Sequence, residues 1–341
     1  MPDPTDIPNK PIRTFLIGSG LFSAESELRF KRLTGGVASD IWLVSAEGRS
    51  VCVKRALPKL RVAADWFAPV ERNTNEAAWL RTAHGISPSI APKVLAEDSS
   101  EGVFAMEYCP PDQYSNWKTR LFDGPFEVDT ATMVGERLSL IHAETAARPE
   151  LGATFNSDTI FVAIRLEPYL LATAKAHPNL AAQLEGLVER TLANKKALVH
   201  GDVSPKNILL GPDGPLFLDA ECAWWGDPAF DVAFCLNHLL LKCLWKPSLA
   251  AEYLTAFDRL SAAYLTGVQW EDRDAFEARA ASLLPALLLA RVDGKSPVEY
   301  LTEESQKMAV RRTTTALLTT RVTRLGQVSQ AWRAEVSKRV A

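Results

Sequence analysis

The chain has 341 residues, of which 47% are hydrophobic and 23% are charged, and this is the composition of a globular protein with one large core or two smaller ones. Its 38 basic and 41 acidic residues give a formal net charge of -3. That balance argues against a dedicated nucleic-acid binder, which would carry a cationic excess.

Membrane and secretory roles are also disfavoured. The most apolar stretch, residues 283–290, is far shorter than the ~20 residues that cross a bilayer, and the first residues lack the basic and apolar pattern of a secretory signal. The five cysteines form no CxxC pair, so neither a disulfide framework nor a zinc site is expected. We therefore expect a cytoplasmic protein with reduced thiols.

The first third of the chain is strand-like, with short runs of Val, Ile and Phe separated by Gly, Ser and Asp. One helical stretch, residues 70–83, lies between the third and fourth predicted strands. The predicted order is therefore β-β-β-α-β-β. The predicted strands are residues 28–34, 40–45, 51–57, 92–96 and 103–108.

After the Cys109-Pro-Pro-Asp segment the apolar period changes to that of helices. Residues 207–210 and 215–218 interrupt this helical part as a predicted hairpin. The pattern indicates an α+β protein with a small β-rich part, residues 1–109, and a larger, mostly helical part, residues 110–341. The predicted helices are residues 130–147, 179–193, 231–244, 249–265, 270–290 and 307–325.

The segment around the hairpin carries the most chemical information. Asp202, Asn207 five residues later, and Asp219 twelve residues beyond that flank two short strands. Phosphoryl transfer needs a carboxylate that holds the acceptor hydroxyl, and oxygen ligands for a magnesium ion that bridges the phosphates. The three side chains offer these groups. The alternative is an Asx-rich turn that only caps the hairpin.

The sequence His-Gly-Asp-Val-Ser-Pro-Lys-Asn from residue 200, followed by Asp-Ala-Glu from residue 219, resembles the HGDxxxxN and D-x-D/E signature of the aminoglycoside phosphotransferase and choline kinase family. The resemblance implies a protein-kinase-like two-lobe fold that uses ATP and Mg²⁺. It assigns Asp202 as catalytic base or hydroxyl orienter, and Asn207 and Asp219 as metal ligands. Whether Glu221 and Lys206 contact metal or phosphate stays open.

The phosphate-binding half of such a site is expected upstream. Gly35, Gly36 and Ser39 lie in a turn where backbone amides can approach phosphate oxygens, although a plain hairpin turn would use the same residues. Lys54, on the alternating strand that follows, occupies the place where kinase-like folds hold the α- and β-phosphates. The alternative is an exposed lysine on an edge strand.

Two further assignments complete this half. An acidic residue of the helix should orient Lys54. Glu76 is a better candidate than Glu71, because Glu71 lies in the first helical turn, where an interaction with the helix dipole explains an acidic residue. The other reading of Glu76 is an exposed helix acid. By resemblance, the carbonyl of Glu107 and the amide of Cys109 would bind adenine, and a buried strand end fits that stretch equally well.

Three residues near the signature are assigned to structure. Asp231, in a segment that looks like the family's GDPxxD, would brace the loop that carries Asp202, which we call the catalytic loop. His142 is expected to be a hydrogen-bonded core histidine, and His200 to fix the loop through hydrogen bonds.

The acceptor is expected to be a small molecule that bears a hydroxyl. Only a few residues separate Glu221 from Pro228, where protein kinases place a long activation segment. From Ala233 onward, 15 basic against 11 acidic residues disfavour a polycationic acceptor. Arg291 and Lys295 are candidate contacts for a polar or anionic acceptor, and a solvated helix connection is the alternative.

Two functions are therefore considered. The first is an ATP- and magnesium-dependent kinase that phosphorylates a hydroxyl of a small metabolite or antibiotic. The second is a nucleotide-binding pseudokinase that acts as a scaffold. The presence of Lys54, Asp202, Asn207 and Asp219 together favours the enzyme, because a scaffold has no use for all four. The sequence leaves open the identity of the acceptor, the choice between ATP and GTP, and the oligomeric state.

Overall fold

The computed structural model describes residues 9–33, 39–57, 69–124 and 127–340. The chain divides into two compact units, Met1–Tyr114 and Ser115–Ala341, hereafter unit 1 and unit 2. Unit 1 contains an antiparallel sheet and unit 2 is mostly helical. This is the α+β organisation that the sequence predicts.

Unit 1 is built around its sheet, in which the strands are antiparallel and follow the order β1-β2-β3-β5-β4. The predicted order of strands and helix is confirmed, and a helix that the sequence analysis did not predict, α1, precedes the first strand. The elements are α1 (Asn9–Gly18), β1 (Arg29–Arg32), β2 (Ser39–Ala46), β3 (Arg49–Ala56), α2 (Arg72–Ile86), β4 (Val94–Asp98) and β5 (Val103–Glu107).

The central strand β3 explains how a lysine comes to be buried in unit 1. Val51 and Val53 point into a hydrophobic cluster that Ile12 and Leu16 of α1 help to form. Side chains alternate along a strand, so Lys54 projects from the opposite face. Helix α2 packs against β3, β4 and β5, and its Glu76 binds Lys54.

Unit 2 is organised around α9, whose residues Ala229–Leu244 are all buried. A helix that is apolar on every side belongs in a protein interior, and α9 packs against α10 and α11. Among the described residues, we find no helix with the length and apolar character needed to cross a bilayer. The helices are α3 (Trp117–Asp123), α4 (Val128–Ala146), α5 (Leu151–Thr154), α6 (Asp158–Phe161), α7 (Ala172–Ala176), α8 (Ala181–Ala193), α9 (Ala229–Trp245), α10 (Ala250–Gly267), α11 (Arg273–Asp293), α12 (Glu304–Leu318) and α13 (Leu325–Val340).

Two small antiparallel sheets hold the loops that carry the sequence motif. One has the order β6-β8-β9 and the other pairs β7 with β10. The hairpin β8-β9 forms as predicted, with Ile208 opposite Phe217 and Gly211 opposite Gly214. The strands are β6 (Ser115–Asn116), β7 (Ala197–Val199), β8 (Ile208–Gly211), β9 (Gly214–Phe217) and β10 (Trp224–Gly226).

Two parts of unit 2 differ from the sequence expectation. The single helix expected over residues 307–325 is wrong, because α12 ends at Leu318 and α13 starts at Leu325. The side-chain oxygen of Gln327 accepts hydrogen bonds from the amides of Thr323 and Arg324, which satisfies donors at the start of α13. In addition, a π-helical segment, Val162–Leu171, joins α6 to α7.

Candidate active site

The backbone of unit 2 brings the three motif residues to one place. Asp202 lies in the loop from β7 to β8, and Pro205–Asn207 forms a 3-10 turn at the end of that loop. The side-chain amide of Asn207 donates to the carbonyl of Asp202 (3.0 Å), and the amide of Leu218 donates to the carbonyl of Asn207 (2.9 Å). The residue after Leu218 is Asp219. The hairpin register therefore places Asn207 beside the segment that carries Asp219.

The carboxylate of Asp202 is buried and held by two basic side chains. Arg165, in the π-helical segment, lies 2.9 Å from its Oδ2 atom, and Lys206 lies 3.5 Å from the same atom. Burial, the largest effect, lowers the pKa of Arg165, but the acidic groups around it, Asp202 first among them, together raise this pKa above its ordinary value. Asp202 also raises the pKa of Lys206. The two basic side chains therefore hold the Asp202 carboxylate in a fixed orientation.

His200 and Asp231 fix the backbone of the catalytic loop. The carboxylate of Asp231 accepts hydrogen bonds from the amides of His200 and Gly201, both at 2.7 Å. The Nδ1 atom of His200 accepts from the amide of Asp202 (3.1 Å), so its Nε2 atom donates to the carbonyl of Leu218 (3.1 Å). Burial lowers the pKa of His200, which keeps this neutral tautomer.

A second layer of polar residues supports Asp231. His142 is fully buried, and its Nε2 atom lies 3.2 Å from Asp231 Oδ2 while its Nδ1 atom lies 2.6 Å from the hydroxyl of Tyr264. At the start of α9, Asp227 accepts from the amide of Ala229 and from Arg279. The loop that carries Asp202 is thus anchored from α4, α9 and α10.

The two expected metal ligands are oxygen-bearing side chains on adjoining segments. Asp219 adopts a positive φ of 68°, which is uncommon for a residue other than glycine and which Asp tolerates better than most. The nitrogen of Asn207 is used by Asp202, so its oxygen is the atom that would bind a cation. Within the described ranges, no group of three or more His, Cys, Asp or Glu side chains is arranged for a metal.

Unit 1 pairs the predicted lysine with the predicted acid. The Nζ atom of Lys54 lies 2.7 Å from both carboxylate oxygens of Glu76, and the two side chains are only 3% and 1% exposed. Glu71 occupies the N-cap position of α2 without a capping hydrogen bond from its side chain. Ser39 is buried at the start of β2. The glycines at 35 and 36 lie outside the described residues.

The segment expected to bind adenine ends the strand β5. Glu107 is its last residue and lies opposite Val51, and its carboxylate accepts from the amide of Lys93 (3.1 Å). Cys109 follows, partly buried, and burial raises the pKa of its thiol to about 11. Adenine binding by the main chain of this segment stays a prediction.

Comparison with known proteins supports the interpretation of the motif. The model of the phosphotransferase enzyme family matches residues 29–265, which is most of the chain. The chain belongs to this family. The resemblance stated from the sequence is therefore confirmed, and with it, at the level of the family, the prediction of a kinase.

Individual proteins that are similar to this phosphotransferase share fewer than a third of the aligned residues with it. A methylthioribose kinase of Pectobacterium atrosepticum is 26% identical over 279 residues, which cover 67% of this chain and 68% of that protein. A methylthioribose kinase of Yersinia pseudotuberculosis is 29% identical over 227 residues, which cover 59% of this chain and only 55% of that protein. An amicoumacin kinase, solved with AMP-PNP, Ca²⁺ and Ami, shares the fold with a TM-score of 0.55 at 15% identity, covering 94% of this chain and 97% of that one.

The two residues proposed to contact the acceptor already have partners within unit 2. Arg291 donates to the hydroxyl of Tyr169 (3.1 Å) and to the side chain of Ser296 (3.0 Å). Lys295 pairs with Glu167 at 2.7 Å and is exposed. The structure thus connects both residues to the π-helical segment, and a contact with the acceptor stays a prediction.

Arg165 is the main residue of this phosphotransferase that sequence reasoning missed. The sequence feature that could have indicated Arg165 is a single charged side chain within the otherwise apolar run from Ile160 to Leu166. An unpaired arginine is expensive to bury, so such a residue predicts a buried acid as partner. The sequence could not show which acid, because Asp202 lies 37 residues away in the chain.

Proposed function

We propose that this phosphotransferase transfers the γ-phosphate of ATP to a hydroxyl of a small molecule, with Mg²⁺ as the divalent cation. The observation that carries the proposal is the arrangement of Asp202, whose carboxylate is buried and held by Arg165 while its backbone is fixed by His200 and Asn207. Preorganised charge of this kind is what phosphoryl transfer requires.

Each group has a role in the proposed reaction. Asp202 would accept the proton of the acceptor hydroxyl while the oxygen of that hydroxyl forms a bond to the γ-phosphorus. The bond from that phosphorus to the β,γ-bridging oxygen breaks, and ADP leaves. Asn207 and Asp219 would hold Mg²⁺, which when bound would neutralise phosphate charge. Lys54, oriented by Glu76, would bind the α- and β-phosphates.

The short segment after Glu221 supports a small-molecule acceptor. Five residues stand between Glu221 and Asp227, and the short strand β10 takes up three of them. A peptide platform would need a longer segment here. The methylthioribose kinase relatives are consistent with a small acceptor. The cytoplasmic location expected from the sequence stays a prediction.

The substitution Asp202→Asn tests the proposal. We expect the rate of magnesium-dependent ADP release over a panel of hydroxyl compounds to fall by about a hundredfold or more, because the amide cannot accept the hydroxyl proton. Asp213→Asn, an exposed hairpin residue, is the matched control and should keep the wild-type rate. Equal rates for wild type and Asp202→Asn on every compound would favour the pseudokinase scaffold instead.

A further inference from the structure

A set of basic side chains in unit 2 takes no part in the phosphoryl transfer proposed above, although one of them, Lys206, lies beside Asp202. Lys118 of α3, Lys206 of the catalytic loop, Lys242 of α9 and Arg291 of α11 all act electrostatically on His238, and we call these five residues the cationic cluster. Burial, and then these four charges, hold the pKa of His238 well below its ordinary value. Basic residues from four parts of the fold therefore contribute positive charge at one buried imidazole.

Lys242 is the most unusual member of the cluster because its charge is buried. The residue is 1% exposed, and it forms no ion pair with any carboxylate in the described part of the chain. Its ammonium instead lies over the rings of Trp245 (4.4 Å) and Tyr300 (5.0 Å), which are stacked at 4.7 Å. Burial, with Lys118 nearby, lowers the pKa of Lys242 to about 7. Glu299, the carboxylate that raises the pKa of Lys242 among the described residues, is bound to Lys118.

Buried polar atoms near the cluster also lack protein partners. These are the hydroxyl of Tyr300, Nε of Arg291, the side-chain oxygen of Asn237 beside His238, and the hydroxyl of Ser204 in the catalytic loop. A buried polar atom without a hydrogen bond is unfavourable, because it has lost its hydrogen bonds to water and gained none in the protein. Two of these atoms belong to Arg291, a member of the cluster, and to Tyr300, whose ring lies under Lys242, and they indicate groups placed to bind a polar ligand rather than a packed core.

A continuous set of contacts links the cluster to Asp202. Arg165, which binds Asp202, lies over the rings of Tyr169 (5.8 Å) and Phe234 (5.6 Å). The hydroxyl of Tyr169 accepts from Arg291, and the ring of Phe234 contacts that of His238 with centroids 5.4 Å apart. On the other side, Asn116 binds the carbonyl of Lys206 and caps the helix that begins just before Lys118.

We propose that the acceptor carries an anionic group, a carboxylate or a phosphate, and that the cationic cluster binds this group while the acceptor hydroxyl is at Asp202. This inference rests on the proposed function and specifies its substrate class. Lys242 gains a counter-ion when the anion binds, and the ammonium is then favoured over the neutral amine. Binding above pH 7 therefore takes up a proton.

The test compares compounds that share a carbon skeleton and differ in charge. ADP release from Mg-ATP is measured with glycerate against glycerol, ribonate against ribitol, and ribose 5-phosphate against ribose, with choline as a cationic probe. We expect turnover with anionic compounds in preference to their neutral counterparts. In Lys242→Met, the KM for the anionic acceptor should rise roughly tenfold to a hundredfold with little change in the KM for ATP.

Two further variants separate binding from folding. Tyr300→Phe removes only a hydroxyl and should raise the same KM by a smaller factor. Lys175→Met removes an exposed lysine of unit 2 and is the matched control, with an unchanged KM. Calorimetry at pH 8 in buffers of different ionisation enthalpy should show uptake of close to one proton on binding of the anionic compound by wild type, and none by Lys242→Met.

The outcomes distinguish the inference from the proposed function. If a neutral or cationic compound is phosphorylated at least as well as its anionic counterpart, the inference is wrong and the proposed function stands. If no compound is phosphorylated but an anionic one binds with proton uptake that Lys242→Met abolishes, the inference stands and the proposed function loses support. If no anionic compound binds, the cluster is not an anion site and the inference is overturned.

Discussion

Lys54 and Glu76 depend on each other because both charged groups are shielded from water. Removing an ion from water is unfavourable by several kcal/mol, and only the partner and its hydrogen bonds compensate for this. A pair of this kind contributes little net stability to unit 1. Its consequence is orientation, since Lys54 is held at a fixed place on the central strand of the sheet.

Replacing one member of this pair should therefore destabilise the protein much more than replacing both. We expect Lys54→Met and Glu76→Leu each to lower the free energy of unfolding by about 3–5 kcal/mol, and the double variant Lys54→Met/Glu76→Leu to lose less than either. Urea unfolding, followed by tryptophan fluorescence, measures the effect.

The exposed pair Arg32–Asp40 in the same sheet is the matched control. Arg32→Met should change stability by less than about 1 kcal/mol, because water and salt screen surface charges. Additive losses in the Lys54/Glu76 double variant would show that the two residues act independently and would contradict the interpretation of the pair.

At the scale of elements, the catalytic loop depends on a glycine for two separate reasons. Gly201 has a φ of 79°, a conformation that residues with a Cβ atom rarely adopt. A Cβ atom there would also lie 2.7 Å from Cβ and 2.8 Å from the carbonyl oxygen of Cys222. The loop is therefore packed against the segment after Asp219 as well as bonded to it.

A pair of glycine substitutions separates these two effects. Gly48 has nearly the same φ of 77°, but no atom lies within 4 Å of a Cβ built there. Gly48→Ala should lower the free energy of unfolding by about 1 kcal/mol from backbone strain alone. Gly201→Ala adds the clash, so it should cost about 1–3 kcal/mol more and lower kcat. Thermal denaturation and ADP release measure the two quantities, and equal losses of stability would mean that Cys222 moves aside freely.

The elements that sequence patterns predicted well are those whose signal is local. The hairpin β8-β9 has its glycines and turn residues in one short stretch, and its register then fixes Asn207 beside Leu218. The π-helical segment was not predicted because Pro168 normally interrupts a helix, and wide π-type turns tolerate it only where the surrounding structure supports them.

Across the protein, the sequence predicts the type of reaction better than it predicts which side chains contact one another. The residue types and spacing of Asp202, Asn207 and Asp219 indicate phosphoryl transfer, because that chemistry needs few groups. The partner of Asp202 and the setting of Lys242 depend on contacts between distant parts of unit 2. No local pattern carries that information, so the cationic cluster became visible only in the structure.

Two buried histidines of unit 2, His200 and His238, give a prediction for the stability of the protein. Burial lowers the pKa of both His200 and His238. In the unfolded chain each binds a proton near pH 6.5, whereas in the folded chain each stays neutral to lower pH. The unfolded state then binds more protons, so stability is retained above about pH 6.5 and falls as the pH drops below it, by at most about 1.4 kcal/mol per pH unit for each histidine.

Urea unfolding at pH 7.5, 6.5 and 5.5 measures this slope, and the substitution His238→Gln assigns it. Gln keeps a polar side chain that does not titrate, so the variant should lose about half of the decline between pH 6.5 and 5.5. Lys175→Met, the exposed control, should retain the full decline. Parallel curves for wild type and His238→Gln would mean that His238 is protonated as readily in the folded chain as in the unfolded one, and that the cations around it are too distant or too well solvated to act on it.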